Sequence, residues 1–304
     1  MTNTPTTPSR TWSDVDREPN GLRARALRAV RLDRASKRAL HSNRIDTLVA
    51  VASGRRVIDL GCVGHSAERV GTDGWLHARI AASAKQCLGV DIHAEGIAEM
   101  RRQGFDARCH DITSDPAPLL TDGPFDVIIA GELIEHIDDL GTLIRFAQQV
   151  LEPGGTLALT TPNPYAPWRV RAGQLGLITD NTDHICLIHP SGIAELCDRA
   201  GVSLDAAWTT ETKDRAPGSI HESLWQLFRS TPLRSPRPSN WARALNRNWL
   251  SPFEVILHRR RTRRGWSGET AIYLIKMEPP YEPTEAELAG FAFGTGKFTP
   301  LTNR

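Results

Sequence analysis

From residue 56 onward the chain alternates short apolar runs of β-forming residues with longer amphipathic ones. RVIDLGC precedes residues 76 to 86, CLGVDI precedes 94 to 103, DARCHD follows, FDVIIAGE precedes 140 to 151, and TLALTTPN precedes 191 to 200. A strand that is apolar on both faces must be covered on both. A strand, helix, strand order returns the chain to the same end of the sheet, where it pairs in parallel. The alternation predicts an α/β fold, doubly wound around a mostly parallel sheet. VSLDAAWTT (202 to 210) and TAIYLIKM (270 to 277) read as two further strands closing one edge, which makes seven.

The rest of the chain is arranged around this core. Residues 1–20, rich in Thr, Pro and Ser, are expected to be disordered, and 21–55 carry apolar residues at helical spacing among arginines, as N-terminal helices would. The core is expected at 56–210 plus 266–280, with a C-terminal tail at 281–304. Between the last two strands lies an insert, 211–265, that has eleven Arg and one Lys against three Glu and one Asp, in a chain of net charge +2. A lid or a homodimer contact is the expected role of this basic stretch. With 304 residues and 40% hydrophobic content the chain can bury a full core. No run approaches the ~20 apolar residues of a membrane span, and MTNTPTTPSR has no secretory pattern, so a cytoplasmic location is expected. Five cysteines, widely spaced and without a CxxC pair, read as free thiols.

In an open α/β sheet, ligands bind beyond the carboxyl ends of the strands. The first strand runs into VIDLGCVGH, with Asp59, Gly61 and Gly64, where glycines allow a tight turn and close approach of the backbone. The second ends at Asp91, placed to take both hydroxyls of a ribose; the third offers Asp111; the fourth delivers GELIEHI; the fifth, entered from an EPGG turn, ends in TTPNP.

This ordered series, VIDLGC, GVDI, HDI, FDVIIAGELIEH and LEPGGTLALTTPNP, resembles the class I S-adenosylmethionine-dependent methyltransferases over residues 56 to 210 and 270 to 277. The resemblance implies that Asp59, Gly61 and Gly64 form the cofactor loop, with the two glycines against the methionyl part. It puts Asp91 on the ribose, Asp111 near the adenine amine, and Ile92 and Ile112 on the two faces of the adenine. The sequence departs from the family in two respects. Val63 and His65 stand where the usual loop has glycine, and Asp91 follows Asp59 by 32 positions, with GTDGWLHARI inserted. Trp75 and His77 in that insertion are read either as a pocket wall or as ordinary core. A nicotinamide dehydrogenase would need a full G-x-G-x-x-G, of which only a fragment is present.

Glu132, Glu135 and His136 are spaced i, i+3, i+4 and would share one face of a helix that started there. Two carboxylates and one or two imidazoles suit Mg²⁺ or, given the nitrogen donors, another divalent cation. The E-x-x-E-H string with a later DH resembles the metal-dependent O-methyltransferases of ubiquinone biosynthesis and the small-RNA 2′-O-methyltransferases. That resemblance makes Glu132, Glu135, His136 and His184 ligands. Alternatively His136, supported by Glu135, is a metal-free general base and Glu132 contacts the cofactor amine. His189, just before a proline, reads as structural.

The segment TTPNPYAPWRVRAGQLGLITDNTDH resembles the substrate-side loop of methyltransferases of polysaccharide and natural-product pathways, which makes Tyr165, Trp168 and Arg169 acceptor-site candidates. The expected reaction is methylation of a small-molecule hydroxyl, a sugar or glycoside ahead of a phenol. RNA 2′-O-methylation, suggested by HRRRTRRGW, and a non-catalytic cofactor-binding partner subunit are the alternatives.

Overall fold

The computed structural model describes residues 18, 21–40, 43–176, 180–210, 266 and 268–292. The expectations placed on the first 17 residues, and those on the basic insert and its RNA or dimer contacts, lie outside the described residues.

The apolar runs form the strands β1 (Arg56–Leu60), β2 (Gln86–Asp91), β3 (Ala107–Cys109), β4 (Phe125–Gly131), β5 (Leu151–Pro162), β6 (Ser203–Thr210) and β7 (Thr270–Lys276). They make one sheet in the order β3-β2-β1-β4-β5-β7-β6. The first five are parallel, and β7 runs antiparallel between β5 and β6. Successive residues of the central strands face opposite layers. Ile58, Leu60, Ile128 and Ala130 belong to one apolar cluster, whereas Val57, Val127 and Ile129 belong to another with Leu48, Ala52 and Ile80. This is the arrangement a sheet covered on both faces requires.

The described helices are α1 (Leu22–Lys37), α2 (Arg44–Ala52), α3 (Leu76–Ser83), α4 (Ala94–Arg102), the single turn α5 (Ala117–Leu120), α6 (Leu140–Val150), α7 (Pro167–Gln174), α8 (Pro190–Ala200) and α9 (Glu285–Ala292). Local chemistry sets their ends. Asn43 caps α2 by accepting from Asp46 N, and Asp139 caps α6 by accepting from Gly141 N. His189 caps α8 through Nδ1, Pro190 opens it, and Gly201 closes it at φ 67°. α6 buries Leu143, Ile144, Phe146, Ala147 and Val150 against the sheet, roughly 1.5–3 kcal/mol for each large side chain.

β1 pairs with β2 on one side and β4 on the other, so the chain leaves β1 outward to β3 and then returns across it. The loops after β1 and β4 diverge there and leave a crevice at the carboxyl ends of the strands.

Candidate active site

The loop after β1 turns at Gly61 and Gly64, at φ 71° and 75°, a region that disfavours residues with a Cβ. A Cβ at Gly61 would also stand 3.3 Å from the Leu133 side chain of the loop after the neighbouring strand β4. Asp91 fastens this turn: one carboxylate oxygen accepts from Val63 N and the other from His93 N, each at 2.9 Å. Asp59 faces away from the crevice, into the interior, where its Oδ2 lies 2.8 Å from His77 Nδ1 with both residues buried. Trp75 is likewise interior and donates from Nε1 to Cys62 O. Of the two readings of the inserted segment, a pocket wall is therefore corrected to core packing: Trp75 and His77 brace the glycine turn from behind.

Beyond β2 the Ile92 side chain is 72% exposed, and Ile112 is half-buried against the main core. Asp111 is exposed; hydrogen bonds from the Thr113 hydroxyl and backbone N–H hold its carboxyl below the usual range.

No α-helix begins at Glu132, contrary to the shared helix face expected of GELIEHI. Glu132 has φ 58°, and only a single 3-10 turn, Ile134–His136, follows. The reason is tertiary. Glu132 N donates to both Thr160 O and Thr160 Oγ1, continuing the β4–β5 ladder one residue past the strand, and Ile185 N donates to Glu135 O. These contacts fix the backbone before a helix can propagate.

The side chains nevertheless converge. Glu135, His136 and His184 each offer a ligand atom within 4.8 Å of the others, and the rings of His136 and His184 meet edge-on at 4.8 Å. Glu132 is not in that group; its Oε1 stands 3.6 Å from Arg44 Nε. Glu135 is 1% exposed, and its Oε2 accepts from Thr161 Oγ1 at 3.0 Å. Burial and the neighbouring Glu132 carboxylate push its pKa up to about 7, while its backbone hydrogen bond, the Thr161 hydroxyl and the Arg44 guanidinium pull it back. Burial and His136 lower the pKa of His184. Glu135 Oε1 and His184 Nδ1 are buried without a hydrogen-bond partner among the described residues. A buried carboxylate oxygen and a buried ring nitrogen left without partners are groups that a cation or a substrate hydroxyl can engage.

On the acceptor side Tyr165 is half exposed and stacks on His189 at 6.3 Å. Arg169 is committed elsewhere: its Nε donates to Asp180 at 2.6 Å and its guanidinium lies over the Trp168 ring. Sequence reasoning passed over four residues that the structure brings to the site. Arg44 comes from α2 and also donates to Thr160 Oγ1; Thr161 holds Glu135; Asp183 lies 3.4 Å from His136 Nδ1; and the His65 ring lies 5.8 Å from that of His136. Asp183, next to His184, carried a local signal. Arg44 did not, because nothing in α2 indicates which strand end it will reach.

The strand order, the glycine turn, the carboxylate that fastens it and the antiparallel seventh strand define a Rossmann-like methyltransferase fold. The model of a methyltransferase-domain family matches residues 23–207, more than half of the chain. The chain belongs to that family, within the class I S-adenosylmethionine-dependent methyltransferases. It is 26% identical over 160 residues to a ubiquinone biosynthesis O-methyltransferase of Aromatoleum aromaticum, covering 49% of this chain and 64% of that protein. It is 28% identical over 185 residues to a probable S-adenosylmethionine-dependent methyltransferase of Mycolicibacterium smegmatis, covering 54% and 67%. The chain thus spans about two thirds of the length of these relatives. A Haloferax volcanii protein solved in complex with the Trm112 methyltransferase activator superposes with a TM-score of 0.50 at 16% identity, over 78% of this chain and 90% of that one, a likeness of fold alone.

Proposed function

We propose that the chain is an S-adenosylmethionine-dependent O-methyltransferase acting on a hydroxyl of a small molecule, a sugar or glycoside ahead of a phenol. The observation that carries the reading is the group formed by buried Glu135 and half-buried His136, just past β4, with half-buried His184 from the segment before α8. The oxygen acceptor is further supported by the similarity to ubiquinone biosynthesis O-methyltransferases.

The glycine turn, with no Cβ at Gly61 or Gly64, suits close approach of the methionyl part of the cofactor. Asp91 retains acceptor capacity beyond its two backbone bonds and is assigned to the ribose hydroxyls, with exposed Ile92 and half-buried Ile112 assigned to the adenine and Asp111 to its amine. Asp59 supports the turn from beneath, and Glu132 flanks the methionyl end. When bound, S-adenosylmethionine supplies a methyl group on a positively charged sulfur that an acceptor oxygen can attack.

His136 is the proposed proton acceptor for the substrate hydroxyl. It is 23% exposed, so a substrate can reach it, and Asp183 beside Nδ1 steadies the cation that forms. Glu135, with a pKa of about 7, is able to hold or release a proton next to it. Tyr165 offers the exposed ring for the acceptor, whereas Trp168 and Arg169 shape the wall through the Asp180 pair.

A second reading, divalent-cation assistance, is favoured by the orphaned Glu135 Oε1 and His184 Nδ1. Glu135, His136 and His184 would be the ligands, and their two imidazoles suit Mn²⁺, Fe²⁺ or Zn²⁺ better than Mg²⁺. A bound cation would lower the pKa of an acceptor hydroxyl.

Calorimetric titration of chelator-treated protein with S-adenosylhomocysteine, followed by methyl transfer to a panel of hydroxylated acceptors with and without cations, tests both readings. His136→Ala should retain cofactor affinity and lose ~10²-fold or more in turnover; full turnover in that variant removes His136 from the chemistry. Absence of cofactor binding would defeat the whole assignment.

A further inference from the structure

His65 stands in the turn after β1, beside Gly64, where the usual loop of the resembled family has glycine and where the proposed function places the cofactor. Its Nδ1 lies 3.9 Å from Asp183 Oδ2, and the same oxygen lies 3.4 Å from His136 Nδ1. The ligand atoms of His65, His136 and Asp183 all fall within 4.8 Å of one another. Three donors on bonds of about 2.0–2.1 Å around a tetrahedral ion stand roughly 3.3 Å apart. The 3.4 Å spacing of His136 and Asp183 fits as it stands. His65, 3.9 Å from Asp183 and within 4.8 Å of His136, must swing inward, as its exposed side chain can.

We propose that His65, His136 and Asp183 form a binding site for a borderline divalent cation of the Zn²⁺ or Co²⁺ class, one that shares only His136 with the Glu135, His136, His184 group. Two imidazoles and one carboxylate are the donors such ions take, whereas Mg²⁺ would find only one oxygen ligand here. The side chains of His65 and Asp183 are 63% and 51% exposed, so an ion reaches the site directly from solvent at the rim of the crevice. Its three ligands come from the turn after β1, the end of β4 and the segment before α8, so an ion would tie the cofactor loop to the acceptor side. It would also occupy His136, the residue assigned to take the substrate proton. Occupancy of the rim therefore opposes proton transfer.

The test is titration of the chelator-treated full chain with Co²⁺, followed by the visible absorption that a tetrahedral Co²⁺ acquires with nitrogen ligands. His65→Ala and Asp183→Asn should each weaken Co²⁺ binding by about tenfold or more, whereas Glu135→Gln and His184→Ala should leave it close to wild type. Asp183 lies outside the glycine turn, so its variant decides the matter if His65→Ala disturbs that turn. Wild-type Co²⁺ affinity in Asp183→Asn, or loss of binding in Glu135→Gln and His184→Ala instead, overturns the proposal. The readout needs no methyl acceptor, so failure to find turnover on any acceptor would count against the proposed function and not against this site.

Discussion

Glu135 shows how far a single side chain is governed by what surrounds it. Unfolded, its carboxyl loses its proton near 4.5, and folded it keeps it to about 7. Between these values the native state binds more protons than the unfolded one, so this group's contribution is complete below 4.5 and is lost as pH rises through 7. The span corresponds to roughly 3 kcal/mol. Glu135→Gln should remove that slope; urea denaturation of chelator-treated protein at pH 5 and pH 8 measures it, and an unchanged pH dependence would refute the assignment. Asp91, also buried, accepts from two backbone N–H groups of the turn. Asp91→Ala should weaken S-adenosylhomocysteine binding by ~1.5–3 kcal/mol in calorimetry while the chain stays folded. The identity of Asp91 as the acid after the second strand was readable from its position. The pairing of Asp59 with His77 was not, because the sequence does not say which strand residue a side chain of α3 will face.

Helix and strand ends show where local preference wins and where it yields. The caps of α8, with His189 and Pro190 at one end and Gly201 at the other, follow from residue chemistry alone. A helix does not start at Glu132, because the backbone there turns at positive φ and Ile185 N takes the Glu135 carbonyl that a helix would offer to Asp139 N. The glycine turn carries a related compensation. Val63, standing where the family has glycine, is buried against α4, and a Cβ on Gly96 of that helix would collide with both Val63 methyl groups. Gly96→Ala should therefore cost about 1–3 kcal/mol of stability by overpacking. Adding Val63→Ala should recover much of it, a coupling that denaturant melts of the two single variants and the double variant would reveal. Additive losses would show that the two elements do not share the space.

Over the whole molecule, the N-terminal helix is bound to the core by charge as well as by apolar contact. Arg28 pairs with Glu195 and Asp198, and Arg31 pairs with Asp198, all with side chains largely buried. Burial raises the pKa of Asp198 and the two guanidinium groups oppose that rise. Replacing both arginines with alanine should leave a carboxylate without compensation and lower unfolding stability by ~1–3 kcal/mol with little change in cofactor affinity. Equal melting of variant and wild type would show that the apolar contacts suffice. α9 completes this side, with Leu288 against Ala26 and Val30. By itself the sequence determined the order of strands and helices, the parallel core with its antiparallel edge and the strand ends that carry polar groups, because periodicity and apolar runs report which faces must be covered. Only the tertiary structure decided that Arg44 from α2, His65 from the glycine turn and Asp183 from the loop before α8 meet around Glu135 and His136. Those contacts join residues far apart in the chain, and their partners are chosen by strand order and register, which no local pattern encodes.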